Sequence, residues 1–139
     1  MQNLLDKAIT IAVECHAGQT NKIGEPYILH PLRMMFKADT VEEKIVAILH
    51  DVIEKTDMDF KKLHAAGFNH KILSAIDSLS RKVDENYNSY LDRVKKNKLA
   101  KKIKIIDLND NLKLVKNGKI EERINTKLLK YQNAINKLS

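Results

Sequence analysis

Residues 45–54, IVAILHDVIE, join five apolar residues to a histidine, an aspartate and, four residues after the histidine, a glutamate. The apolar run predicts a buried helix, so His50 and Asp51 begin near the protein interior. Burying an imidazole and a carboxylate is unfavourable unless the groups are hydrogen-bonded or bound to a metal. A satisfied His-Asp hydrogen bond is the simpler interpretation of the dipeptide alone. His30 and Asp107, also in predicted helices, favour the other interpretation, a divalent metal held by two imidazoles and two carboxylates.

Helical spacing adds a possible base to this group. Residues four apart nearly eclipse on a helix, so His50 and Glu54 are expected to share one face. Water that attacks phosphorus needs a base to take its proton, and Glu54 has the position and chemistry for that role. The alternative for Glu54 is an exposed carboxylate at a helix end. The mixed nitrogen and oxygen ligands suit Mn, Zn, Fe or Co, and the residues alone do not choose among these metals.

The composition indicates an all-α protein. The chain has 139 residues, of which 43% are hydrophobic and 31% charged, as in a soluble globular protein. Four glycines and two prolines are few, which favours long helices over a β architecture with many turns. We find no linker, repeat or low-complexity segment, so residues 1–139 are expected to form a single compact helical bundle around the metal site.

Helix boundaries can be placed along the chain. Apolar residues at helical spacing predict a first helix that ends near Gly18, followed by a polar loop over 19–26. Pro31 suits the first turn of the next helix. Thr40 and Glu43 form a capping-box pattern that predicts the start of one helix carrying both His50 and Asp51. Further helices are predicted from about 57 to 66 and at 70–80, 85–97, 99–115 and 120–138.

The net charge is +7, and the lysines are spread over most of the chain. One interpretation is a lysine-rich solvated surface, and the other is a field that attracts anionic ligands. Seven aromatic residues (four Tyr and three Phe) and no Trp offer few platforms for stacking single-stranded nucleic acid. A small phosphorylated ligand is therefore the favoured partner, and a basic nucleic-acid-binding protein is the weaker alternative. The sequence leaves both a monomer and a homo-oligomer open.

The sequence also indicates in which compartment the protein is expected. The longest apolar runs are only a few residues, which is too short for a membrane span. The first residues, MQNLLDK, are too polar for a secretory signal. Cys15 is the single cysteine and cannot form an internal disulfide, which favours a reducing cytoplasm.

Four segments resemble a known family. They are CHAGQ at 15–19, KIGEPYILHPL at 22–32, ILHDVIE at 48–54 and KIIDLNDNL at 104–112. In this order and at these spacings they resemble the alarmone hydrolases of the HD superfamily, namely the hydrolase domain of the Rel/SpoT enzymes and its small stand-alone relatives. The resemblance covers most of the chain, and the series of motifs is far more specific than an isolated HD pair.

The resemblance implies an all-α HD domain with one divalent metal, usually Mn, that removes the 3′-pyrophosphate of ppGpp. The metal ligands it implies are His30, His50, Asp51 and Asp107. It implies that Glu54 helps to activate the water. For the substrate, Asn111 matches a ribose contact and Lys22 a basic position of the nucleotide pocket, and Lys104 is expected to contact the substrate as well.

Three departures from the family pattern bear on activity. The family usually reads HDxxED, and Lys55 replaces the last acid. This lysine either slows hydrolysis or supplies a cation that neutralises a phosphate, and we therefore group it with Glu54 as a catalytic candidate. Asn21 replaces an arginine that stacks on the nucleobase, which an amide cannot do. Leu108 replaces an arginine of the Rel-type members.

Other polar residues have simpler interpretations. His16 is expected to form a structural hydrogen bond with the adjacent loop. Tyr27 is expected to shape that loop rather than touch substrate. Asp110 is expected to lie beside the metal ligands or in solvent, since Asp107 fits the family motif better.

Two functions remain in view besides nucleic-acid binding. The first is a metal-dependent phosphohydrolase, with ppGpp as the leading substrate and another phosphorylated nucleotide or metabolite as the alternative. The second is a nucleotide-binding module with low activity, which Lys55 favours.

Overall fold

The computed structural model describes residues 3–116 and 124–139, and the described residues form nine α-helices. These are α1 (Leu4–His16), α2 (Leu29–Lys37), α3 (Val41–Leu49), α4 (Val52–Lys55), α5 (Phe60–Ala65), α6 (His70–Leu79), α7 (Tyr87–Lys95), α8 (Lys98–Lys116) and α9 (Ile124–Leu138). Within the described ranges the β structure is a single isolated bridge between Thr20 and Pro26. The all-α prediction is confirmed.

Polar side chains fix where several helices begin. Asn3, Asn69 and Asn86 each accept a hydrogen bond from a backbone N–H two or three residues further on, at the starts of α1, α6 and α7. Thr40 and Glu43 form the predicted capping box at the start of α3. Each such cap satisfies an N–H that would otherwise lack a partner, and its loss typically costs about 1 kcal/mol.

Helix α3 lies at the centre of the bundle. Its five residues from Ile45 to Leu49 are each at most 2% exposed, and the helix packs against α1, α2, α6 and α8. Because these five residues cover more than one turn and are all apolar, this half of the helix is apolar on every side and can be stable only in the interior. The residue that follows it, His50, therefore starts from a buried position.

The predicted single helix through His50 and Asp51 is wrong. Helix α3 ends at Leu49, α4 begins at Val52, and Asp51 between them has φ −108° and ψ 0°. The Ala47 carbonyl, which a continuous helix would offer to the Asp51 N–H, accepts a hydrogen bond from His50 Nδ1 at 2.7 Å. The helical course resumes at once, since Lys55 N donates to Asp51 O at 2.9 Å.

The other predicted boundaries agree closely with the structure. The first helix ends at His16, and Gly18 adopts a φ of +84° in the turn that follows. Pro31 lies in the first turn of α2. The predicted helices at 70–80, 85–97 and 99–115 correspond to α6, α7 and α8. Residues 120–123 of the predicted last helix lie outside the described residues.

None of the helices in the described ranges has the length and apolar character needed to cross a membrane.

Candidate functional site

A cavity of about 770 Å³ opens between the 19–27 loop and helices α2, α4, α8 and α9. All four tyrosines of the chain line it. Its lining also includes the cationic side chains of Lys22, Arg33, Lys55, Arg81, Lys104, Lys127 and Lys130. Only three carboxylates appear among the described lining residues, namely Asp51, Glu54 and Asp107. The excess of positive charge favours an anionic ligand.

His50 enters this cavity with its proton position fixed. Its Nδ1 lies 2.7 Å from Ala47 O, and since a carbonyl oxygen only accepts, Nδ1 carries the hydrogen. Its Nε2 is buried and has no hydrogen-bond partner among the described residues, although Asp51 Oδ2 lies 3.0 Å away. That contact lacks hydrogen-bond geometry. His50 Nε2 thus faces carboxylates without a hydrogen-bond partner in the described part of the chain, an arrangement that a bound cation would stabilise.

His30 lies between two carboxylates. Its Nε2 is 2.8 Å from Asp107 Oδ1, and its Nδ1 is 2.7 Å from Asp110 Oδ2. Burial opposes protonation of this ring, but the hydrogen bonds to the two carboxylates outweigh it and raise the pKa of His30 to about 9. In the absence of another cation the ring is therefore an imidazolium. A metal ion could replace the proton on Nε2 while Nδ1–H stays bonded to Asp110.

Asp107 contacts more of the polar residues of the site than its neighbours do, since Lys104, Asn111 and both histidines lie around its carboxylate. Its carboxylate accepts from Lys104 Nζ at 2.8 Å and from Asn111 Nδ2 at 3.3 Å, and it lies 3.8 Å from His50 Nε2. Burial alone would raise the pKa of this carboxyl, yet Lys104 and the two histidines hold it well below the usual range. Asp107 is therefore an anion in a buried position, as a metal ligand must be.

Three of the four predicted metal ligands form a compact group. One ligand atom from each of His30, His50 and Asp107 lies within 4.8 Å of the others. Two imidazole nitrogens and a carboxylate oxygen suit a divalent cation of the first transition series. The bare Nε2 of His50 supports the same interpretation, because a cation at this position would satisfy it.

Asp51 lies at the edge of this group. Its Oδ2 is 3.0 Å from His50 Nε2 and 3.7 Å from Lys55 Nζ, and it accepts a hydrogen bond from the Tyr27 hydroxyl. Burial opposes ionisation of Asp51, but His50 and Lys55 hold its pKa below the ordinary value. Asp51 thus contacts the group through His50.

The two predicted catalytic residues lie on α4. Glu54 lines the cavity, and its Oε1 accepts a hydrogen bond from the backbone N–H of Arg81 at 2.7 Å. Lys55 Nζ donates to the Tyr27 hydroxyl at 3.1 Å and lies 4.6 Å from the centre of the Tyr27 ring. The cation that replaces the second acid of the family pattern therefore lies next to Asp51.

The three predicted substrate-binding residues all line the cavity. Lys22 is exposed on the 19–27 loop. Lys104 and Asn111 lie deeper, where both donate to Asp107. Burial works against the charge of Lys104, but Asp107 outweighs burial and raises the pKa of this lysine.

Three residues contribute more than the sequence suggested. Tyr27 reaches Asp51 rather than only shaping its loop. Asp110 is 2% exposed and holds His30, while Arg33 donates to Asp110 through Nε at 2.9 Å and Nη2 at 3.0 Å. Helical spacing could have revealed this pair, since Arg33 is three residues after His30 and Asp110 three residues after Asp107.

Known proteins resemble this chain in sequence. A guanosine-3′,5′-bis(diphosphate) 3′-pyrophosphohydrolase of Borreliella burgdorferi is 36% identical over 80 residues, which cover 54% of this chain and 12% of that protein. The enzyme of the same name from Aquifex aeolicus is 27% identical over 121 residues, which cover 78% of this chain and 17% of that protein. The bifunctional (p)ppGpp synthase/hydrolase SpoT of Escherichia coli is 33% identical over 82 residues, which cover 55% of this chain and 11% of that protein. No family model matches the chain.

The fold has a known counterpart as well. The solved structure of a metazoan orthologue of SpoT that hydrolyses ppGpp superposes with a TM-score of 0.84 at 19% sequence identity, over 99% of this chain and 86% of that one. The resemblance to the Rel/SpoT hydrolases is confirmed. At this identity the structural match establishes the fold alone. The chain also spans less than a fifth of the three curated relatives, at 12%, 17% and 11% of their lengths.

Proposed function

We propose that this chain is a metal-dependent phosphohydrolase that acts on a nucleotide and converts ppGpp and water to GDP and pyrophosphate. The observation that carries the proposal is the group formed by His30, His50 and Asp107 inside a cavity lined by cations. The similarity to proteins named as (p)ppGpp 3′-pyrophosphohydrolases supports this substrate over other phosphorylated nucleotides or metabolites.

The proposed metal ligands are His30, His50 and Asp107, with Asp51 as the fourth. When bound, a divalent cation supplies Lewis-acid chemistry, since it neutralises phosphate charge and lowers the pKa of water. We favour Mn because of the family resemblance, with Fe, Co and Zn as alternatives that accept the same ligands. The hydrogen bond from His50 Nδ1 to Ala47 O fixes the ring so that Nε2 faces the site.

Glu54 is the proposed proton acceptor for the attacking water. Its carboxylate lies at the cavity wall, and the Arg81 N–H holds one of its oxygens, which leaves the other available. An exposed lysine such as Lys22 attracts the substrate phosphates, and Lys104 contributes its charge from the deeper end of the cavity. Asn111 is proposed to contact the ribose from its position beside Asp107.

The deciding experiment is product analysis after incubation of the Mn-loaded protein with ppGpp, with Asp51→Asn as the matched control. Release of GDP and pyrophosphate that the substitution abolishes would support the proposal. Absence of turnover by protein that retains its metal would overturn it and direct the search to other nucleotides.

A nucleotide-binding module with little turnover is the second candidate. Lys55 favours it, because a cation 3.7 Å from Asp51 takes the place of the family's second acid. Lys55→Glu separates the two candidates. A large rise in turnover would indicate a module that lost activity through this lysine, whereas a fall would show that Lys55 serves the reaction as it stands.

The remaining proposals concern the setting of the protein. We assign residues 1–139 to one hydrolase domain, whose small anionic nucleotide substrate reaches the cavity from solvent. The single cysteine, Cys15, supports a reducing cytoplasm. Nucleic acid is disfavoured as a partner because the tyrosines of this chain lie in the cavity rather than on an open face.

A further inference from the structure

Gln19 connects three elements around the candidate site. Its side-chain Oε1 lies 2.8 Å from His16 Nδ1, at the end of α1. Its Nε2 donates to the carbonyl oxygen of Lys55 at 2.9 Å, at the end of α4. Its own backbone carbonyl accepts from Tyr27 N at 2.9 Å. One residue of the loop thus contacts the backbone of both Tyr27 and Lys55.

The hydrogen-bond partners of Gln19 determine which atoms donate and which accept in these contacts. The Lys55 carbonyl can only accept, so the amide nitrogen of Gln19 faces it and the amide oxygen faces His16. His16 must then donate from Nδ1. Its Nε2 is buried and lacks a hydrogen-bond partner among the described residues. Among the residues that the structure describes, Gln19 is thus the hydrogen-bond partner of the His16 ring, which also packs 5.0 Å from the Tyr27 ring.

These contacts determine where two side chains meet Asp51. Lys55 is the last residue of α4, and its carbonyl has no acceptor role within the helix, so Gln19 satisfies it. The Lys55 ammonium donates to the Tyr27 hydroxyl, and that hydroxyl donates to Asp51. Both side chains that reach Asp51 from this direction belong to residues whose backbones Gln19 holds.

We propose that His16 and Gln19 are positioning residues that hold Lys55 and Tyr27 against Asp51. They fix the ammonium of Lys55 at the edge of the metal ligands, where it meets an anionic group of the substrate. This inference rests on the proposed function, because only a phosphorylated ligand gives the fixed cation a partner. His16 and Gln19 would therefore influence turnover through the position of Lys55 and not through the metal.

The first test measures the position of Lys55 directly, by the rate at which an amine-acylating reagent labels it. Lys61, on the exposed side of α5, is the internal reference within the same sample. Gln19→Leu and His16→Leu are expected to raise the labelling of Lys55 relative to Lys61 by about threefold to tenfold. His16→Asn retains a donor near the place of Nδ1 and should restore the wild-type ratio. Equal ratios in all four proteins would overturn the proposal.

The second test is a double-mutant cycle on the hydrolysis of ppGpp. Gln19→Leu should lower kcat/KM by about threefold to tenfold in the wild-type background and by less than about twofold in the Lys55→Ala background. An equal loss in both backgrounds would contradict a role through Lys55. If Gln19→Leu does not fold, Gln19→Glu serves instead, since it turns an oxygen towards the Lys55 carbonyl.

The two tests separate the inference from the proposed function. Labelling of Lys55 does not require turnover, so it reports on His16 and Gln19 even if ppGpp is not hydrolysed. Turnover without a change in labelling would sustain the hydrolase and reject the positioning role.

Discussion

At the scale of the residue, the site depends on which nitrogen of each histidine carries a proton. Ala47 O takes the hydrogen of His50 Nδ1, and Asp110 occupies Nδ1 of His30, so both rings present Nε2 to Asp107. A metal-bound histidine usually donates its other N–H to a carbonyl or a carboxylate, which orients the ring and raises its basicity. Both versions of this arrangement occur here side by side.

Asp110→Asn tests this arrangement without removing a metal ligand. The amide keeps the volume of the carboxylate but loses the charge that Arg33 and His30 share. We expect the affinity for Mn²⁺ to fall by about 10-fold to 100-fold, measured by competition with a chelating dye.

The matched control is Asp92→Asn. Asp92 is 60% exposed and paired with Lys137 at the protein surface. This variant should bind Mn²⁺ as the wild type does, and equal affinities for all three proteins would show that Asp110 does not support His30.

At the scale of the element, α8 delivers its site residues because they share one face. Lys104, Asp107 and Asn111 are spaced by three and four residues, and all three line the cavity. This spacing was visible in the sequence, as were the capping box of α3 and the end of α1.

Two features of the elements could not be predicted from local sequence. The apolar pattern continues from Leu49 into Val52, so it gave no sign of the break at His50. At this break the His50 side chain donates a hydrogen bond to the Ala47 carbonyl, a contact that the pattern does not encode. The contact of Tyr27 with Asp51 joins positions 24 residues apart in sequence. It requires the fold of the 19–27 loop, which periodicity does not describe.

The junction of α6 and α7 gives a prediction about stability. Arg93 donates to Asp77 O at 3.1 Å, to Ser80 O at 3.0 Å and to Glu85 Oε2 at 2.7 Å. The hydrogen bond from Arg93 lowers the pKa of Glu85 to about 2. A depressed carboxyl pKa stabilises the fold above the ordinary pKa, and this contribution disappears as the pH falls towards about 2.

Glu85→Gln is therefore expected to lower the urea midpoint of unfolding at about pH 7 and to lower it less at about pH 3. Asp92→Asn, at an exposed pair with Lys137 and outside the first turn of its helix, is the control and should change neither midpoint. If Glu85→Gln lowers the urea midpoint equally at both pH values, the charge of Glu85 does not contribute to the stability of the fold.

At the scale of the whole molecule, the excess of basic residues that gives the net charge of +7 extends into the cavity. Seven cationic side chains and three carboxylates line the described part of the cavity wall. A cleft lined mainly by one sign of charge raises the local concentration of an oppositely charged substrate, and added salt weakens that effect. The lysines elsewhere on the surface contribute less, because solvent and salt screen them over a longer path.

The contribution of the two kinds of lysine can be compared with Lys22→Gln and Lys61→Gln, because each substitution removes one positive charge. Lys22 lies at the cavity wall, whereas Lys61 lies on α5, which contributes none of the described lining residues. At low salt we expect Lys22→Gln to raise the KM for ppGpp by about threefold and Lys61→Gln to leave it unchanged. The difference should shrink as KCl is raised towards about 0.5 M, where the Debye length falls to a few ångström. Equal KM values for the two variants at low salt would mean that net charge, and not the placement of cations in the cavity, attracts the nucleotide.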